Sequence, residues 1–539
     1  MPEQPLKASE RTVYEVLRDA AAEDPDRPAL SYMGERTSYG KLLSQVDRVS
    51  VCLSERGVVR SDCVSVCLHN CPEAVVAFYA ANRLGAVAAM VHPLSSSEDV
   101  ARCVEDTKCK VAFVNGASAR RFSKAMRPDA GCGLVLIPAP GEEDRLPGTE
   151  SWEGFLREAG HGTPYERRCS PDDPAAILYT GGTTGPSKGA VISSTSFNAS
   201  AAGMKELSGL CETDQKMLSV LPLFHGFGLC TGIHLPVLHR METILVPRFS
   251  AESVMKAMAE ERPGVIFGVP TVFERILEKG VPPGLDLSFL TGLFCGGDAM
   301  PAEARRSMDR MLAEHGCNAR IRIGYGCTEC LSAVTITRED EARDGSVGVP
   351  LPGCEVSIAP MEGQPSGDGA GEICVRGQIL MTGYLNRPEE TAEVLRRHDD
   401  GKVWLHTGDV GRMDEDGSLV FLRRAKRVIV TSGYNVYPSE LERCLDSDPR
   451  VKASCVVGIP DSLRIASVKA FIILKDGVEK SVGTIERIKA RLAEMVPAYA
   501  LPREFVLLDA FPRTMFGKVS YKDLENDPSY SADVAPRLA

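Results

Sequence analysis

The sequence has 539 residues, of which 43% are hydrophobic and 25% are charged, and its formal net charge is −11 at pH 7. This length exceeds what one hydrophobic core usually supports, so we expect at least two domains. The negative charge argues against nucleic-acid binding, because that affinity depends on neutralising phosphates with Lys and Arg.

The sequence shows no targeting or membrane signal. Residues 1–10 carry charges and no apolar core segment, which argues against a secretory signal. The longest apolar stretch, residues 74–91, is interrupted by Asn82 and Arg83, so we predict no transmembrane span. We therefore expect a cytoplasmic protein. The sequence is compatible with peripheral membrane contact and with either a monomer or a homodimer.

Apolar runs and amphipathic stretches alternate through the first part of the chain. Residues 63–68 are typical of a strand, and residues 86–91 of a second buried strand. Between them, residues 72–84 place their apolar side chains at helical spacing. The same rhythm predicts strands at 175–179, 264–267 and 292–295. This pattern indicates an α/β domain with mostly parallel sheets covered by helices.

The pattern changes near residue 421. Four basic residues follow, namely Arg423, Arg424, Lys426 and Arg427. Beyond them we predict strands at 453–458 and 468–474 and a helix at 481–494. A basic cluster is usually a solvated turn, but one at a domain boundary with glycines on both sides favours a hinge. We therefore predict a large α/β domain over 1–422, a hinge over 423–426, and a small mobile α+β domain over 427–539.

A glycine-rich loop is the strongest local signal. Residues 179–189 read YTGGTTGPSKG and follow an apolar strand directly. Their glycines let the backbone approach a ligand, and their hydroxyls and one lysine suit a polyphosphate. The spacing differs from a Walker A loop, because Pro186 stands where that motif needs its second glycine. The candidate phosphate ligands are Thr180, Gly181, Gly182, Thr183, Thr184, Gly185 and Lys188.

Eighteen cysteines are unusual for such a chain. Cys327 and Cys330 have CxxC spacing, and Cys63, Cys67 and Cys71 recur every four residues. A zinc or iron–sulfur site usually needs four ligands, and we find only one CxxC pair. We interpret the cysteines as reduced structural thiols, with a metalloprotein that uses the Cys63, Cys67 and Cys71 set as one alternative.

The loop at 179–189 resembles the phosphate motif of the adenylate-forming superfamily, which includes acyl-CoA synthetases, peptide-synthetase adenylation domains and beetle luciferases. The resemblance covers nearly the whole chain, because further motifs follow in the family's order. These motifs lie at 84–86 with 92–93, 221–226, 324–329, 404–409, 424–426 with 432–435, and 512–518. The resemblance implies a large AMP-binding domain and a small C-terminal domain that carries a catalytic lysine.

The resemblance also implies a role for individual residues. Lys518 would bridge the carboxylate and the α-phosphate, Thr328 would donate to the α-phosphate, and Glu329 would hold Mg²⁺. The small domain would rotate about Lys426 between two half-reactions, so that the thiol of coenzyme A replaces Lys518. The remaining nucleotide and CoA contacts would come from Gly297, Asp298, Tyr325 against adenine, Gly326, Asp409 and Arg424 at ribose, and Ser432 with Gly433 beside pantetheine.

The expected acyl pocket holds little side-chain bulk. The resemblance places His225, Phe227, Gly228, Gly296, Gly297, Gly324 and Cys327 beside the acyl group. We expect His225 to form a wall or gate rather than a base, because a carboxylate is already deprotonated at neutral pH. Most of these positions are Gly or Cys and none is cationic, which favours a medium- to long-chain fatty acid. Cys327 stands where the family more often has Met or Leu.

The sequence therefore predicts an acyl-CoA synthetase that uses ATP, Mg²⁺ and coenzyme A. An aryl- or sterol-acid CoA ligase is the first alternative within that class. A free-standing adenylation enzyme that loads a carrier protein is the second, although we find no fused carrier domain. A non-enzymatic binding protein on the same fold is disfavoured, because a binder would not need Thr328, Glu329, Asp409, Arg424 and Lys518 together.

Overall fold

The structure is a computed structural model that describes residues 10–125, 133–142, 145–157, 169–180, 187–210, 212, 214–341, 343–361, 369–425, 427, 429–431, 434–461, 465–497, 499–513 and 519–526. The chain divides into two compact units. The first comprises Met1–Ser357, Cys374–Thr407 and Met413–Val420. The second comprises Ile358–Ile373, Gly408–Arg412 and Phe421–Ala539. The predicted boundary at residue 423 did not anticipate that two earlier segments belong to the second unit.

The N-terminal half of the first unit alternates strands and helices. Its elements are α1 (Val13–Glu23), β1 (Pro28–Tyr32), β2 (Glu35–Ser38), α2 (Tyr39–Glu55), β3 (Cys63–Cys67), α3 (Pro72–Arg83), β4 (Val87–Met90), α4 (Ser97–Thr107), β5 (Val111–Val114), α5 (Gly116–Ala125), β6 (Gly133–Leu136), β7 (Glu150–Ser151), α6 (Trp152–Arg157), β8 (Pro174–Tyr179), β9 (Gly189–Ser193) and α7 (Ser194–Ser208).

Strands and helices continue to alternate up to residue 350. The next elements are β10 (Lys216–Ser219), α8 (Gly226–Leu229), a π-helix (Cys230–His234), α9 (Leu235–His239), β11 (Glu242–Leu245), α10 (Ala251–Glu261), β12 (Val265–Gly268), α11 (Pro270–Lys279), β13 (Gly292–Cys295), α12 (Ala302–Glu314), β14 (Ile321–Tyr325), a 3₁₀ helix (Thr328–Cys330), β15 (Thr335–Ile336) and β16 (Ser346–Pro350).

The remaining elements include four strands, β17, β18, β21 and β22, that contain residues of both units. The elements are β17 (Cys354–Ala359), β18 (Gly371–Gly377), β19 (Gly383–Tyr384), α13 (Pro388–Val394), β20 (Leu395–Arg397), β21 (Val403–Met413), β22 (Leu419–Arg424), β23 (Ile429–Thr431), β24 (Tyr434–Val436), α14 (Pro438–Asp446), β25 (Val451–Asp461), β26 (Ile465–Leu474), α15 (Val482–Met495), β27 (Glu504–Leu507) and α16 (Tyr521–Asn526).

Two largely parallel sheets form the first unit, as the sequence predicts. One sheet has the order β19-β9-β8-β4-β3-β5-β6-β7, in which only β9 and β19 run antiparallel to their neighbours. The other includes the run β2-β1-β11-β10-β12-β13-β14-β15-β16, which is parallel from β1 to β14. The predicted α/β class is confirmed. No helix among the described residues is both long and apolar enough to span a bilayer.

The segment from β3 to β4 shows why the apolar pattern was informative. Helix α3 begins with Pro72 at its first position, where a missing N–H costs nothing, and Glu73 lies in the first turn. Nine of its twelve residues are buried, and strands β3 and β4 on either side pair in parallel. A helix that is apolar all round must be covered on all sides, which fits its place within the α/β layers.

The second unit has its own sheet and core. Its strands have the order β24-β23-β26-β25, all antiparallel, and β27 pairs with β26 in parallel. Helix α15 begins after Ser481, whose hydroxyl accepts the N–H of Thr484 and caps the helix. Helices α14 and α15 pack their apolar faces into the core that includes Leu441, Ile472 and Ile488. This small α+β unit matches the predicted fold class.

Candidate active site

The predicted phosphate loop has a fixed stem between β8 and β9. The Thr180 N–H donates to the Lys188 carbonyl at 2.9 Å, and the Lys188 N–H donates to Thr180 Oγ1 at 3.1 Å. The Ser187 hydroxyl donates to the Thr180 carbonyl at 2.6 Å. Both ends of the loop are thereby held together. The predicted ligands Gly181, Gly182, Thr183, Thr184 and Gly185 lie outside the described residues.

A tyrosine connects Glu329 with Lys188. The Tyr384 hydroxyl, on β19, donates to Glu329 Oε1 at 2.6 Å. Lys188 Nζ lies 4.9 Å from the centroid of the Tyr384 ring, within the range of a cation–π contact. Burial, and then the charge of Glu329, raise the pKa of Tyr384 far above its ordinary value, so the hydroxyl remains a donor.

Sequence reasoning did not identify Tyr384. Its strand β19 is two residues long and pairs with β9 next to the loop stem, through Tyr384 and Ala190. A tyrosine between Thr382–Gly383 and a proline-started helix carries a weak signal, because such a residue is usually part of a turn. Pairing with β9 is the contact that brings it to Glu329, and this contact is tertiary.

Glu329 and Thr328 lie on the short 3₁₀ helix that follows β14. The Glu329 carbonyl accepts the N–H of Met381 at 2.8 Å, which ties the turn to the chain segment before β19. Gly326 precedes the turn, and a Cβ on it would lie 1.7 Å from the Ser332 carbonyl oxygen. Only glycine fits this close approach of two backbone segments. The turn that carries the two predicted catalytic residues is therefore held on both sides.

An apolar cavity of about 50 Å³ lies at the carboxyl ends of β12, β13 and β14. Six of the seven predicted acyl-pocket residues line it, all but Gly228: they are His225, Phe227, Gly296, Gly297, Gly324 and Cys327. The structure adds lining residues that the sequence analysis did not assign to the acyl pocket, which are Phe267, Phe294, Cys295, Tyr325, Gly326, Leu331, Ser332, Ala333 and Ile336. The carboxyl ends of parallel strands are the usual place for ligands in α/β folds.

His225 and Gly228 have local structural roles. His225 is the N-cap of α8, where its Nδ1 accepts the N–H of Phe227 at 3.2 Å. A Cβ on Gly228 would lie 2.2 Å from the Pro222 carbonyl oxygen. The structure thus places Gly228 against the backbone of the preceding loop, whereas His225 both caps the helix and lines the cavity.

The predicted nucleotide residues Gly297, Asp298 and Tyr325 lie just beyond or at the ends of β13 and β14. Gly297 is exposed and has φ +83°, a conformation that favours glycine. Asp298 is also exposed, and its carboxylate accepts the N–H of Ala299 at 2.9 Å. Tyr325 is 8% exposed and contributes to the cavity wall. Of these three, only Asp298 offers a charge to solvent.

The second unit holds the predicted ribose residues. Asp409 is 1% exposed, and Arg424 Nε lies 3.2 Å from Asp409 Oδ1. The neighbouring Gly408 N–H donates to Glu372 Oε1 at 3.0 Å, and the Gly408 carbonyl accepts the N–H of Ala425. The pair is therefore fixed within this unit. The predicted hinge Lys426, the CoA-side residues Ser432 and Gly433, and the catalytic Lys518 lie outside the described residues.

The neighbouring basic residues are partnered rather than solvated. Arg423 is 6% exposed, and its guanidinium lies 3.8 Å from the centroid of the Tyr437 ring. Arg427 forms two hydrogen bonds with the Glu442 carboxylate, at 2.9 and 2.6 Å, and donates to the Val456 carbonyl at 3.1 Å. Burial lowers the pKa of Arg427, but the carboxylate of Glu442 raises it, and the net shift is upward. Among the described members of the basic cluster, only Arg424 is exposed.

The structure does not group Cys63, Cys67 and Cys71 into a metal site in the described part of the chain. It groups Cys374, His398 and His406 instead. However, His406 directs Nδ1 toward Cys374 Sγ at 3.6 Å and Nε2 toward His398 Nε2 at 2.9 Å. Both nitrogens of His406 therefore have hydrogen-bond partners, and in this structure the three side chains form a hydrogen-bonded chain.

Comparison with known proteins identifies the family. The profile of the AMP-binding enzymes matches residues 17–385, and that of the AMP-binding enzyme C-terminal domain matches residues 440–518. The chain belongs to the AMP-binding enzyme family. These two matches cover both the α/β part and the small C-terminal part of this AMP-binding enzyme, and the curated relatives place it in the acyl-CoA ligase branch of the adenylate-forming superfamily.

The relatives of this AMP-binding enzyme align over nearly their full lengths. It is 28% identical to a long-chain-fatty-acid–CoA ligase of Bacillus subtilis, covering 95% of this chain and 94% of the relative. It is 31% identical to an indoleacetate–CoA ligase of Aromatoleum aromaticum, covering 93% and 95%. Among solved structures, ATP-bound MatB from Rhodopseudomonas palustris has a TM-score of 0.82 at 25% identity, covering 97% and 100%.

Proposed function

We propose that the protein activates a carboxylic acid with ATP as an acyl-adenylate and then transfers the acyl group to coenzyme A. We further propose that the acid carries a compact apolar acyl group. The observation that carries this second proposal is the cavity at the ends of β12, β13 and β14. Phenylalanine rings line this cavity, and so does Cys327, which directly precedes Thr328 and Glu329.

The cavity wall supports an apolar substrate. The rings of Phe267 and Phe294 are stacked with centroids 4.5 Å apart, and Phe227 meets Phe267 edge-on at 6.0 Å. None of the lining residues is Lys, Arg, Asp or Glu, so a second carboxylate or an ammonium group would lose its hydration without a charged partner. An aromatic ring would gain offset-stacked or edge-on contacts with these side chains.

The cavity volume supports a compact acyl group. A cavity of about 150 Å³ holds benzene in another protein, whereas this one has about 50 Å³. Even a substrate with one aromatic ring must therefore displace part of the cavity wall, and a long acyl chain must displace more. We infer that Phe227, which is only partly buried, moves when the substrate enters. A flat aryl acid is our first candidate for this reason.

A medium- to long-chain fatty acid is the second candidate. Gly297 is exposed at the edge of the cavity, and among the described residues only Val269 lies within 4 Å of the position of its Cβ. This opening would let the acyl chain of a fatty acid pass along the end of β13. The relative named as a long-chain-fatty-acid–CoA ligase supports the same reading.

The first half-reaction has to overcome repulsion between anions. The carboxylate oxygen attacks the α-phosphorus, and diphosphate leaves with the electrons of the broken P–O bond. Two unit charges 4 Å apart repel by about 4 kcal/mol at an effective dielectric of 20. Lys188 supplies positive charge at the loop stem, and we propose that Lys518 supplies it between carboxylate and α-phosphate. No general base is required, which leaves His225 as a wall of the acyl pocket.

Glu329 fits the chemistry of a magnesium site. Mg²⁺ prefers carboxylate oxygens together with water and substrate phosphates, and Glu329 offers such a carboxylate in a fixed orientation. When bound, the ion would neutralise charge on the phosphates. Tyr384 would hold the carboxylate that binds it, and Thr328 would donate to the α-phosphate. We propose that Asp409 and Arg424 bind the ribose and that Tyr325 packs against adenine.

In the second half-reaction the thiol of coenzyme A attacks the acyl carbon, and AMP leaves. We propose that the small domain rotates about Lys426 between the two steps, so that Ser432 and Gly433 replace Lys518 beside the adenylate. The C-terminal family match at residues 440–518 includes this lysine. This alternation explains why one site would serve two different nucleophiles.

An acid panel tests the proposal. Purified protein is supplied with ATP, Mg²⁺ and CoA, and AMP formation is followed with benzoate, indoleacetate, 4-hydroxycinnamate, hexanoate and palmitate. We expect an aryl acid to give the highest kcat/KM. Activity with palmitate alone would overturn the compact-pocket proposal, and diphosphate exchange without CoA-dependent product would favour a carrier-protein acceptor.

A matched pair of variants locates the acyl group. Phe267→Ala removes the ring between Phe227 and Phe294, and we expect the preferred acid to become larger. Phe113→Ala is the control, because Phe113 is buried in the other sheet against Trp152 and Phe155. Each truncation costs about 3–5 kcal/mol of stability. Only a shift in preference that is confined to Phe267→Ala supports the assignment.

A further inference from the structure

Two cysteines enclose the catalytic turn. Cys327 precedes Thr328 and Glu329, and Cys330 follows them, with their Sγ atoms 3.6 Å apart. The Cys330 N–H donates to the Cys327 carbonyl at 3.0 Å, which closes the 3₁₀ turn. Cys330 is fully buried, whereas Cys327 is partly buried and lines the acyl cavity.

We propose that Cys327 and Cys330 are a dithiol modification site, at which a hydroperoxide forms an intramolecular disulfide that reversibly inactivates the enzyme. The loss of activity rests on the proposed function, whereas the formation of the disulfide does not.

The geometry favours this bond. A disulfide has an S–S length of about 2.05 Å, so the two sulfurs must approach by about 1.5 Å. They are already joined by a short turn, so little chain entropy opposes their approach. A small oxidant that enters the acyl cavity meets Cys327 before Cys330, because only Cys327 is part of the cavity wall.

The oxidation of the two thiols to a disulfide takes two steps, and each step releases one water. The Cys327 thiol attacks one oxygen of hydrogen peroxide and becomes a sulfenic acid, and one water leaves. The Cys330 sulfur then attacks the sulfenic sulfur, its proton passes to the departing hydroxide, and a second water leaves. Cys330 is fully buried and is not part of the cavity wall, so it suits the resolving role rather than that of first nucleophile. A dithiol reductant reverses the reaction by thiol–disulfide exchange.

The turn has little freedom to absorb the movement. Glu329 is held by its carboxylate at Tyr384 and by its carbonyl at Met381. Leu331, immediately after Cys330, is fully buried and has φ +65°, a conformation that a leucine rarely adopts. Drawing the sulfurs together therefore has to disturb these contacts and displace Thr328 and Glu329.

The test measures the bond and the activity separately. The full-length protein is reduced, treated with hydrogen peroxide, alkylated, and digested with trypsin. Residues 323–338 form one tryptic peptide that holds both cysteines and no others. The disulfide appears as an unalkylated peptide that lacks two hydrogens. We expect it to accumulate together with a loss of CoA-dependent AMP formation of about 10²-fold, the size caused by a 1 Å displacement of catalytic groups. Dithiothreitol should reverse both.

Two variants make the result specific. Cys330→Ala should form no disulfide in this peptide, and its activity after peroxide should not return with dithiothreitol once Cys327 is oxidised further. Cys354→Ser is the matched control, because Cys354 is a third thiol close to Cys330. This control should behave like the unsubstituted protein, with each activity normalised to its own untreated sample.

Three outcomes would overturn the proposal. Inactivation without a disulfide in the 323–338 peptide would place the sensitive group elsewhere. A disulfide without loss of activity would show that the turn tolerates the bond. Loss of the disulfide in Cys354→Ser would identify a different pair. A protein that forms the disulfide but has no ligase activity before treatment would instead contradict the proposed function.

Discussion

Replacing Tyr384 with Phe separates two contacts of one side chain. The hydroxyl donates to Glu329 Oε1 at 2.6 Å, and the ring lies 4.9 Å from Lys188 Nζ. Phe keeps the ring and its contact with the lysine but removes the donor. Burial and the charge of Glu329 keep the pKa of Tyr384 far above the assay pH, so the hydroxyl is protonated and donating throughout a neutral pH range.

The size of the effect follows from the nature of the bond. A hydrogen bond to a charged acceptor contributes about 1.5–3 kcal/mol. Groups that orient a metal ligand are worth about 10–100-fold in metal affinity, which corresponds to a similar free energy. If Glu329 binds Mg²⁺, we expect Tyr384→Phe to raise the Mg²⁺ concentration for half-maximal adenylation by about 10–100-fold.

The assay is ATP–diphosphate exchange at increasing Mg²⁺ concentration, with the best acid of the panel. Tyr79→Phe is the control, since Tyr79 is a buried tyrosine of the same unit whose hydroxyl lies 3.3 Å from His234 Nδ1. It should lose stability without a change in Mg²⁺ dependence. An unchanged Mg²⁺ dependence in Tyr384→Phe would refute the role that we assign to the Glu329–Tyr384 pair.

Three further substitutions test the alternation of domains and the acyl pocket. Lys518→Ala should lower acyl-adenylate formation by about 10²–10³-fold, while thioester formation from supplied acyl-adenylate persists; equal losses in the two assays would contradict two conformations. Lys426→Pro fixes φ and removes a backbone donor, so adenylation should persist and thioester formation should fail; retention of both steps would place the hinge elsewhere. Gly297→Trp should reduce activity on longer acids and spare short ones. Gly297→Ala is its control, because φ +83° strains any side chain there, and an unchanged length preference in the active Trp variant would refute this tunnel position.

The apolar pattern was sufficient to predict the buried strands and helices of each unit. Residues 63–68, 72–84 and 292–295 form the expected strand, helix and strand, because continuous burial leaves a continuous apolar run. The predicted strand at 453–458 is shorter than the observed Val451–Asp461. Its outer residues pair with β26 as far as Asp461 with Ile465, and ladder hydrogen bonds there require no apolar side chain.

The assignment of segments to units could not be predicted in the same way. Segments 358–373 and 408–412 belong to the second unit although they precede the predicted boundary. Strand β21 has buried and partly buried residues on both sides of that division, so its pattern does not change where the unit changes. Which unit a strand joins depends on its tertiary partners, and hydrophobic periodicity does not encode these.

Prediction from the sequence has the same limit for single side chains of the site. Motif residues such as Gly296, Gly324 and Thr328 were predicted from the resemblance to the adenylate-forming superfamily and not from the apolar pattern. Phe267 and Phe294 were predicted to lie in buried strands, but a phenylalanine in a buried strand is normally interpreted as a core residue. In the structure they are both core and cavity wall, and these two roles require the same chemistry. The size of the acyl pocket is therefore set by residues that a sequence cannot distinguish from packing, which is why the chemical class of reaction is more predictable than the acid.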